Sequence, residues 1–218
     1  MIVLTAATPW ELRPLQSLGV PVWETGVGPV KTKSALENQS PPPPGSIVIS
    51  AGFAGALQPG LLSGDIIMDP LEGPIELAVG ARELAESSKI PFHMGKIHSV
   101  NRVITAHGAK RELGESLRAA AVDMETAAIR SWCQKNKATA LAIRVILDEI
   151  DDPLPEGMPE DTSVLAGARY ALSRPSQIPL LISLGLRQRR AMRTLVRFLQ
   201  AYLPAIPHMN EQPDAEET

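Results

Sequence analysis

Two kinds of segment alternate along the chain. Short apolar runs rich in Ile and Val stand at residues 2–8 (IVLTAAT), 46–57 (SIVISAGFAGAL), 64–68 (GDIIM), 96–105 (KIHSVNRVIT) and 140–150 (ALAIRVILDEI), and each predicts a strand. Between them, residues 110–119, residues 123–136 and the stretch after Gly28 to about Gln39 read as helices. Pro9 suits a first helical turn, with Thr8 as N-cap and Glu11 three residues on, the capping-box pattern. The small residues Ser50 to Gly55 predict a turn at the carboxyl end of the second strand, where open α/β sheets gather their ligands. The run SPPPPG (40–45) cannot continue a helix and reads as a stiff connector, and DDPLPEGMPED (151–161) reads as a loop. This alternation predicts an α/β fold with a mostly parallel sheet covered on both faces.

Composition narrows the picture. A chain of 218 residues with 44% hydrophobic and 21% charged residues suits one globular core rather than a disordered segment. The predicted division is a single domain over residues 1–204, followed by an acidic, disordered tail at 205–218. One cysteine, Cys133, leaves no internal disulfide framework or multi-cysteine zinc site, so a reducing, cytoplasmic setting is expected. The N-terminal apolar run lacks a preceding basic region and reads as a strand, not a leader; no apolar run is long enough to predict a membrane span. The net charge of −3 hides an asymmetry. From Thr162 to Asn210 there is no acid but seven arginines, which leaves −10 for the remainder.

Three acids stand near the ends of apolar strands, each with an ordinary structural explanation. Asp123 could cap a helix beginning at Met124, Glu11 could complete the capping box, and Asp148 could be a strand-end turn residue. Glu125 resists such an explanation, because burying its charge costs several kcal/mol unless it is paired or well hydrogen-bonded.

Four ordered segments carry a resemblance: AATPWE, TGVGPVK, SAGFAGALQPGLLSGDII, and the pair VDMETAAI with IRVILDEID, together spanning residues 6–151. In these the chain resembles the superfamily of purine nucleoside phosphorylases and methylthioadenosine/S-adenosylhomocysteine nucleosidases. The resemblance implies a three-layer fold with a twisted, mixed central sheet flanked by helices, and cleavage of an N-ribosidic bond in an adenosine-type nucleoside. It implies that Glu125 accepts hydrogen bonds from the ribose hydroxyls and that Met124 packs on the sugar. Asp148 would then protonate or hydrogen-bond purine N7, Glu11 would orient and deprotonate the attacking water, and Arg144 would stand near the nucleophile. Thr8, Ala51, Gly52, Phe53, Val103 and Ile104 fall at substrate-binding positions. No metal or organic cofactor is implied, although phosphate remains open as a co-substrate, and a homodimer is the expected assembly.

The chain departs from that pattern in places. Phe53 replaces a small or hydroxyl residue near the nucleophile, and Leu147 replaces the serine that commonly precedes the aspartate. Val103 and Ile104 offer weaker stacking to a base than an aromatic residue. These changes keep open a second class of function, a nucleoside-binding protein with a degenerate site.

On a predicted helix from about Leu184 to Leu203, residues Leu184, Ala191, Leu195, Phe198, Leu199 and Tyr202 share one face, while Arg187, Arg190, Arg193 and Arg197 lie elsewhere. Two readings stay open: a terminal helix packed on the domain with its arginines in water, or a basic element that meets an anionic membrane surface or a lipid-like substrate. The segment RPSQIPLLISLG and the arginine-rich run after it also resemble the hopanoid-associated nucleoside phosphorylases, which implies an adenosyl-lipid such as adenosyl-hopane as substrate. A nucleic-acid partner is not expected, since aromatics make up only 4% of the chain and do not interleave with the arginines.

Overall fold

The computed structural model describes residues 1–69, 73–104, 108–152 and 173–209. An eight-stranded mixed sheet runs in the order β2-β1-β3-β8-β4-β5, with β7 paired to β3 and β6 paired to β7. Its strands are β1 (Ile2–Ala6), β2 (Val22–Glu24), β3 (Ile47–Ala56), β4 (Ile66–Met68), β5 (Phe92–Met94), β6 (Ile97–Ser99), β7 (Ala121–Asp123) and β8 (Thr139–Asp148). Six α-helices accompany them among the described residues: α1 (Pro9–Gln16), α2 (Pro29–Glu37), α3 (Ile75–Ser87), α4 (Ala109–Leu117), α5 (Thr126–Lys135) and α6 (Ile178–Met209).

The two ten-residue strands β3 and β8 pair in parallel along their length and form the spine of the sheet. Both are buried on both faces, which explains their almost continuous apolar composition. On one face the core joins Ile49, Leu141, Ile143 and Val145 to Leu77 and Ala81 of α3 and to Leu195, Phe198 and Tyr202 of α6. On the other, Val48 meets Leu36 of α2 and Ile129 and Cys133 of α5. The chain is thus three layers thick, helices on either side of one sheet.

The edges of β3 matter most for the site. One edge follows β8 throughout; the other pairs with β1 at residues 47–50 and with antiparallel β7 only at Gly55 and Ala56. Between these two pairings, residues 51–54 have no strand partner on that edge. A register shift between Ala54 and Gly55 leaves Leu147 of β8 opposite no residue of β3 and sets Asp148 against Gly55.

Several expectations need correction. Residues 50–55 continue β3 rather than turning, because β8 pairs with them along the whole stretch and, Phe53 apart, their small side chains fit a crowded interior. The strand predicted over 96–105 ends at Ser99, and of its remainder only residue 105 lies outside the described residues. The helix predicted from 123 begins at Thr126, since Ala121–Asp123 are drawn into the sheet beside β3 and β6. Strands β2 and β5 and helix α3 were not predicted. Of the loop read at 151–161, residues 153–161 lie outside the described residues.

Helix α6 is longer than predicted, covering 178–209, so residues 205–209 of the segment read as disordered are helical; residues 210–218 lie outside the described residues. The six positions predicted for its apolar face are all buried. Phe198 stacks between Phe92 and Tyr202, and the Tyr202 hydroxyl donates to the Leu77 carbonyl at 2.9 Å. Packing on the sheet therefore explains this face, yet Ile182 and Leu186, nearer its start, remain 60% and 62% exposed. Among the described residues no helix is long and apolar enough to cross a membrane.

Candidate active site

The unpaired stretch of β3 is filled by a side chain from α1. Thr8 and Glu11 form the predicted capping box: Glu11 N–H donates to Thr8 Oγ1 at 3.3 Å, and Glu11 Oε2 accepts from Thr8 N–H at 2.8 Å. Oε2 also accepts from Ala7 N–H at 3.0 Å and from the Thr8 hydroxyl at 2.9 Å. Oε1 points the other way and accepts the Phe53 N–H at 3.0 Å, across the gap that β1 leaves beside β3. Glu11 thus caps its helix and closes the sheet with one carboxylate. A carboxylate offers about four acceptor directions, so Oε1 keeps one for a further donor.

Arg144, on β8 opposite Gly52, lies at the centre of the buried acids. Its Nη2 pairs with Asp123 Oδ2 at 2.5 Å, donates to Ser50 Oγ at 2.7 Å and Thr126 Oγ1 at 3.2 Å, and lies 3.5 Å from Glu125 Oε2. Burial works to lower the guanidinium pKa, but the Asp123, Glu125 and Glu11 carboxylates outweigh it and hold the group charged above its usual range. Gly52 makes this closeness possible. A Cβ there would lie 2.7 Å from Arg144 Nη1 and collide with Glu11 Oε1, and its φ of +153° also favours glycine.

Glu125 accepts the Gly28 N–H through Oε1 at 2.9 Å, which ties the loop before α2 to the start of α5. Its neighbour Met124 reaches the same loop, with its methyl 3.6 Å from where a Gly28 Cβ would stand. Burial raises the Glu125 pKa from 4.5 to about 7; Arg144 and the Gly28 N–H act against the rise, while Asp123 and Glu11 add to it. The raised pKa means that the folded protein retains a proton which the unfolded chain has released between these values. The stability linked to Glu125 is fully present below pH 4.5 and is lost as pH rises through about 7. Across that window the wild-type Tm is expected to fall relative to Glu125→Gln, and parallel Tm profiles for the two proteins would rule this out.

Asp148 stands apart from these acids, four residues beyond Arg144 on β8, a separation of about 13 Å along a strand. Burial raises its pKa, with opposition from Lys110 and Arg187 and support from Asp152. Lys110 of α4, itself buried, pairs through Nζ with Asp148 Oδ2 and donates to the Glu149 carbonyl at 2.7 Å. Gly55 lets this carboxyl approach β3, since a Cβ there would lie 2.9 Å from Oδ2.

Thr8, Glu11, Gly52, Phe53, Arg144 and Glu125 therefore come together, with Met124 beside them and Asp148 farther along the same strand. Ala51 does not offer its side chain to this group: its methyl is packed in the main core, on the face of β3 opposite Ser50. Val103 is 58% exposed, and Ile104 packs on the small cluster of Leu57, Ala119 and Val122. Sequence reading missed Ser50, Thr126, Lys110 and the Gly28 N–H, all of which reach the acids or Arg144 across long chain separations. It also gave Asp123 a helix-capping role alone. Asp123 does accept the Thr126 N–H at 3.1 Å, but from the end of β7, and it is also the nearest carboxylate to Arg144. Among the described residues, no group of three or more His, Cys, Asp or Glu is arranged to hold a metal ion.

Phe53 and Pro9 also line a groove of about 840 Å³ between α1 and α6. Trp10, Ile182, Leu186, Met192 and Val196 give it an apolar lining, and Arg13, Arg189, Arg193 and Arg197 add positive charge.

Solved structures share this architecture. Futalosine hydrolase of Helicobacter pylori superposes with a TM-score of 0.68 at 17% identity, over 93% of this chain and 97% of that one. The 5′-methylthioadenosine/S-adenosyl homocysteine nucleosidase of the same organism, complexed with a substituted pyrrolidin-3-ol, gives 0.68 at 18% identity over 93% and 97%. The corresponding nucleosidase of Neisseria meningitidis, in complex with methylthio-immucillin-A, gives 0.67 at 16% identity over 94% and 98%. These likenesses speak for the fold, and no curated protein matches the chain in sequence. The family model of the phosphorylase superfamily, however, matches residues 67–177, more than half of the sequence and including Glu125, Arg144 and Asp148, and the chain belongs to that superfamily.

Proposed function

We propose that this protein is an enzyme that cleaves the N-ribosidic bond of an adenosine-type nucleoside and passes the ribosyl group to water. The observation that carries this reading is Glu11, whose Oε1 sits in the gap of β3 beside Gly52 and Arg144 with one acceptor direction left. There it serves as the base that orients and deprotonates water. Glu125 accepts the ribose hydroxyls, and Met124 packs against the sugar. Asp148, farther along β8, protonates N7 as the C1′–N9 bond breaks. The buried carboxylates then stabilise the oxocarbenium-like charge on the ribose.

Charge favours water over phosphate. Glu11, Asp123 and Glu125 surround a single guanidinium, so a phosphate dianion would enter a site already rich in negative charge. The expected result from purified protein is adenine release from 5′-methylthioadenosine, S-adenosylhomocysteine or a 5′-alkyl adenosine at a rate independent of added phosphate. A strict phosphate requirement would overturn the choice of acceptor. Retained nucleoside binding without any base release would favour the binding-only alternative.

The groove between α1 and α6 supports a finer reading of the substrate. It begins at Phe53 and Pro9, beside Glu11, and is open and apolar, so a nucleoside bearing a large apolar 5′ group, such as an adenosyl-lipid, could leave that group in it. Trp10, 53% exposed, and the neighbouring arginines would suit an anionic bilayer from which such a substrate is drawn. On this reading, lengthening the 5′ alkyl chain raises kcat/KM and the protein sediments with anionic vesicles. A preference for the shortest substituent would remove the lipid reading and leave the bond cleavage. A homodimer is proposed as the assembly, with light scattering as its check.

A further inference from the structure

We infer that Lys110 and Asp148 act as a single proton-donating pair, in which Lys110 supplies the proton that Asp148 delivers to the departing purine. The inference rests on the reading of Asp148 as the acid of the reaction. Lys110 is 5% exposed and Asp148 7%, and their side chains meet directly. The second acceptor of the Lys110 ammonium is the Glu149 carbonyl, so the lysine is anchored at two points beside the acid. Such an arrangement is costly unless used or well compensated, because both partners give up hydration.

Among the described residues, Lys110, Asp152 and Arg187 are the charged groups that act on the Asp148 carboxyl. Lys110 comes from α4, Asp152 from beyond β8 and Arg187 from α6, and the latter two pair with each other. Gly55 of β3, where an added Cβ would lie 2.9 Å from Asp148 Oδ2, carries no charge. Arg187 is thus neutralised locally by Asp152, and Lys110 is the cation in direct contact with the Asp148 carboxyl.

Once ionised, a carboxylate without a partner has no proton to give. With Lys110 beside it the pair holds one proton more, shared between Nζ and Oδ2. As the C1′–N9 bond breaks, its electron pair enters the purine ring and N7 takes a proton from the Asp148 carboxyl. Lys110 Nζ passes its own proton to that carboxyl and is left as a neutral amine. The proton removed from the attacking water returns through solvent to the amine. The reaction therefore consumes water alone, and the pair ends as it began.

The test uses full-length protein with 5′-methylthioadenosine over a range of pH. In the wild type the pair, not the carboxyl alone, must lose its proton before kcat/KM falls, so the alkaline limb should lie above the carboxylic-acid range. In Lys110→Met the proton resides on Asp148 alone and is lost at a lower pH, so the alkaline limb should move toward neutrality. Lys110→Arg retains the positive charge but cannot release a proton; it should fold, keep KM near the wild-type value and lose kcat by about two orders of magnitude. Lys110→Arg with wild-type kcat would overturn the inference, as would a Lys110→Met profile lowered uniformly without movement of the limb. If neither variant folds, the wild-type profile decides, because an alkaline limb in the carboxylic-acid range excludes the lysine as proton source. Asp148→Asn separates the role of Asp148 from that of Lys110: if it retains full activity, Asp148 is not the acid, whatever Lys110 does.

Discussion

Asp148→Asn is expected to lower kcat by about two to four orders of magnitude while changing KM little, the usual contribution of a positioned acid. N7 accepts a full proton only as the glycosidic bond breaks, so the lost interaction belongs to the transition state rather than to substrate binding. An asparagine fills the same space against Gly55 and can still accept from Lys110 Nζ through its amide oxygen, which keeps the geometry while removing the transferable proton. Release of adenine from 5′-methylthioadenosine, followed across substrate concentration, separates kcat from KM. A rise in KM with kcat intact would make Asp148 a binding group and would remove it from the chemistry.

Replacement of Arg144 by Met should destabilise the protein by about 3–5 kcal/mol, the cost typical of removing one partner from a buried ion pair. Arg144 is 1% exposed, and the acids it compensates, Asp123, Glu125 and Glu11, are each at most 5% exposed. Methionine fills much of the volume but leaves three carboxylates with no nearby guanidinium. Because protonation relieves part of that repulsion, the loss should be larger at alkaline than at mildly acidic pH. Urea denaturation of both proteins at two pH values provides the check, and a pH-independent loss below about 1 kcal/mol would mean that the acids are compensated elsewhere.

Both expectations depend on where β3 is left unpaired. Glu11 could satisfy its helix entirely through local bonds, and in the sequence it looks no different from any capping-box glutamate. It becomes a candidate base because β1 parts from β3 after Ser50, exposing the Phe53 N–H to a carboxylate from α1. The ordinary and the functional explanations for this residue are therefore both right, one for each oxygen. For Asp123 the balance differs, since the same carboxylate that receives the Thr126 N–H also holds Arg144 in place.

What the sequence determined by itself was the local and the repetitive. The Ile- and Val-rich runs at 47–49 and 141–146 predicted buried strands, Thr8-Pro9-x-Glu11 predicted a helix start, and the spacing of Leu195, Phe198, Leu199 and Tyr202 predicted one apolar face of α6. The ordered motifs placed the chain near its superfamily. These features are short-range, because hydrogen bonds to neighbours and helical or alternating periodicity are written within a few residues. The tertiary structure decided which groups meet across long separations: Lys110 with Asp148, Gly28 with Glu125, Ser50 and Thr126 with Arg144. It also decided that residues 50–55 extend a strand and that Ala121–Asp123 join the sheet, because ladder bonds from β8, β3 and β6 outweigh the turn and helix preferences of small residues. Such partners are chosen by burial and by the need to satisfy every charge removed from water, and neither is encoded in the residues on either side of a lysine or an aspartate.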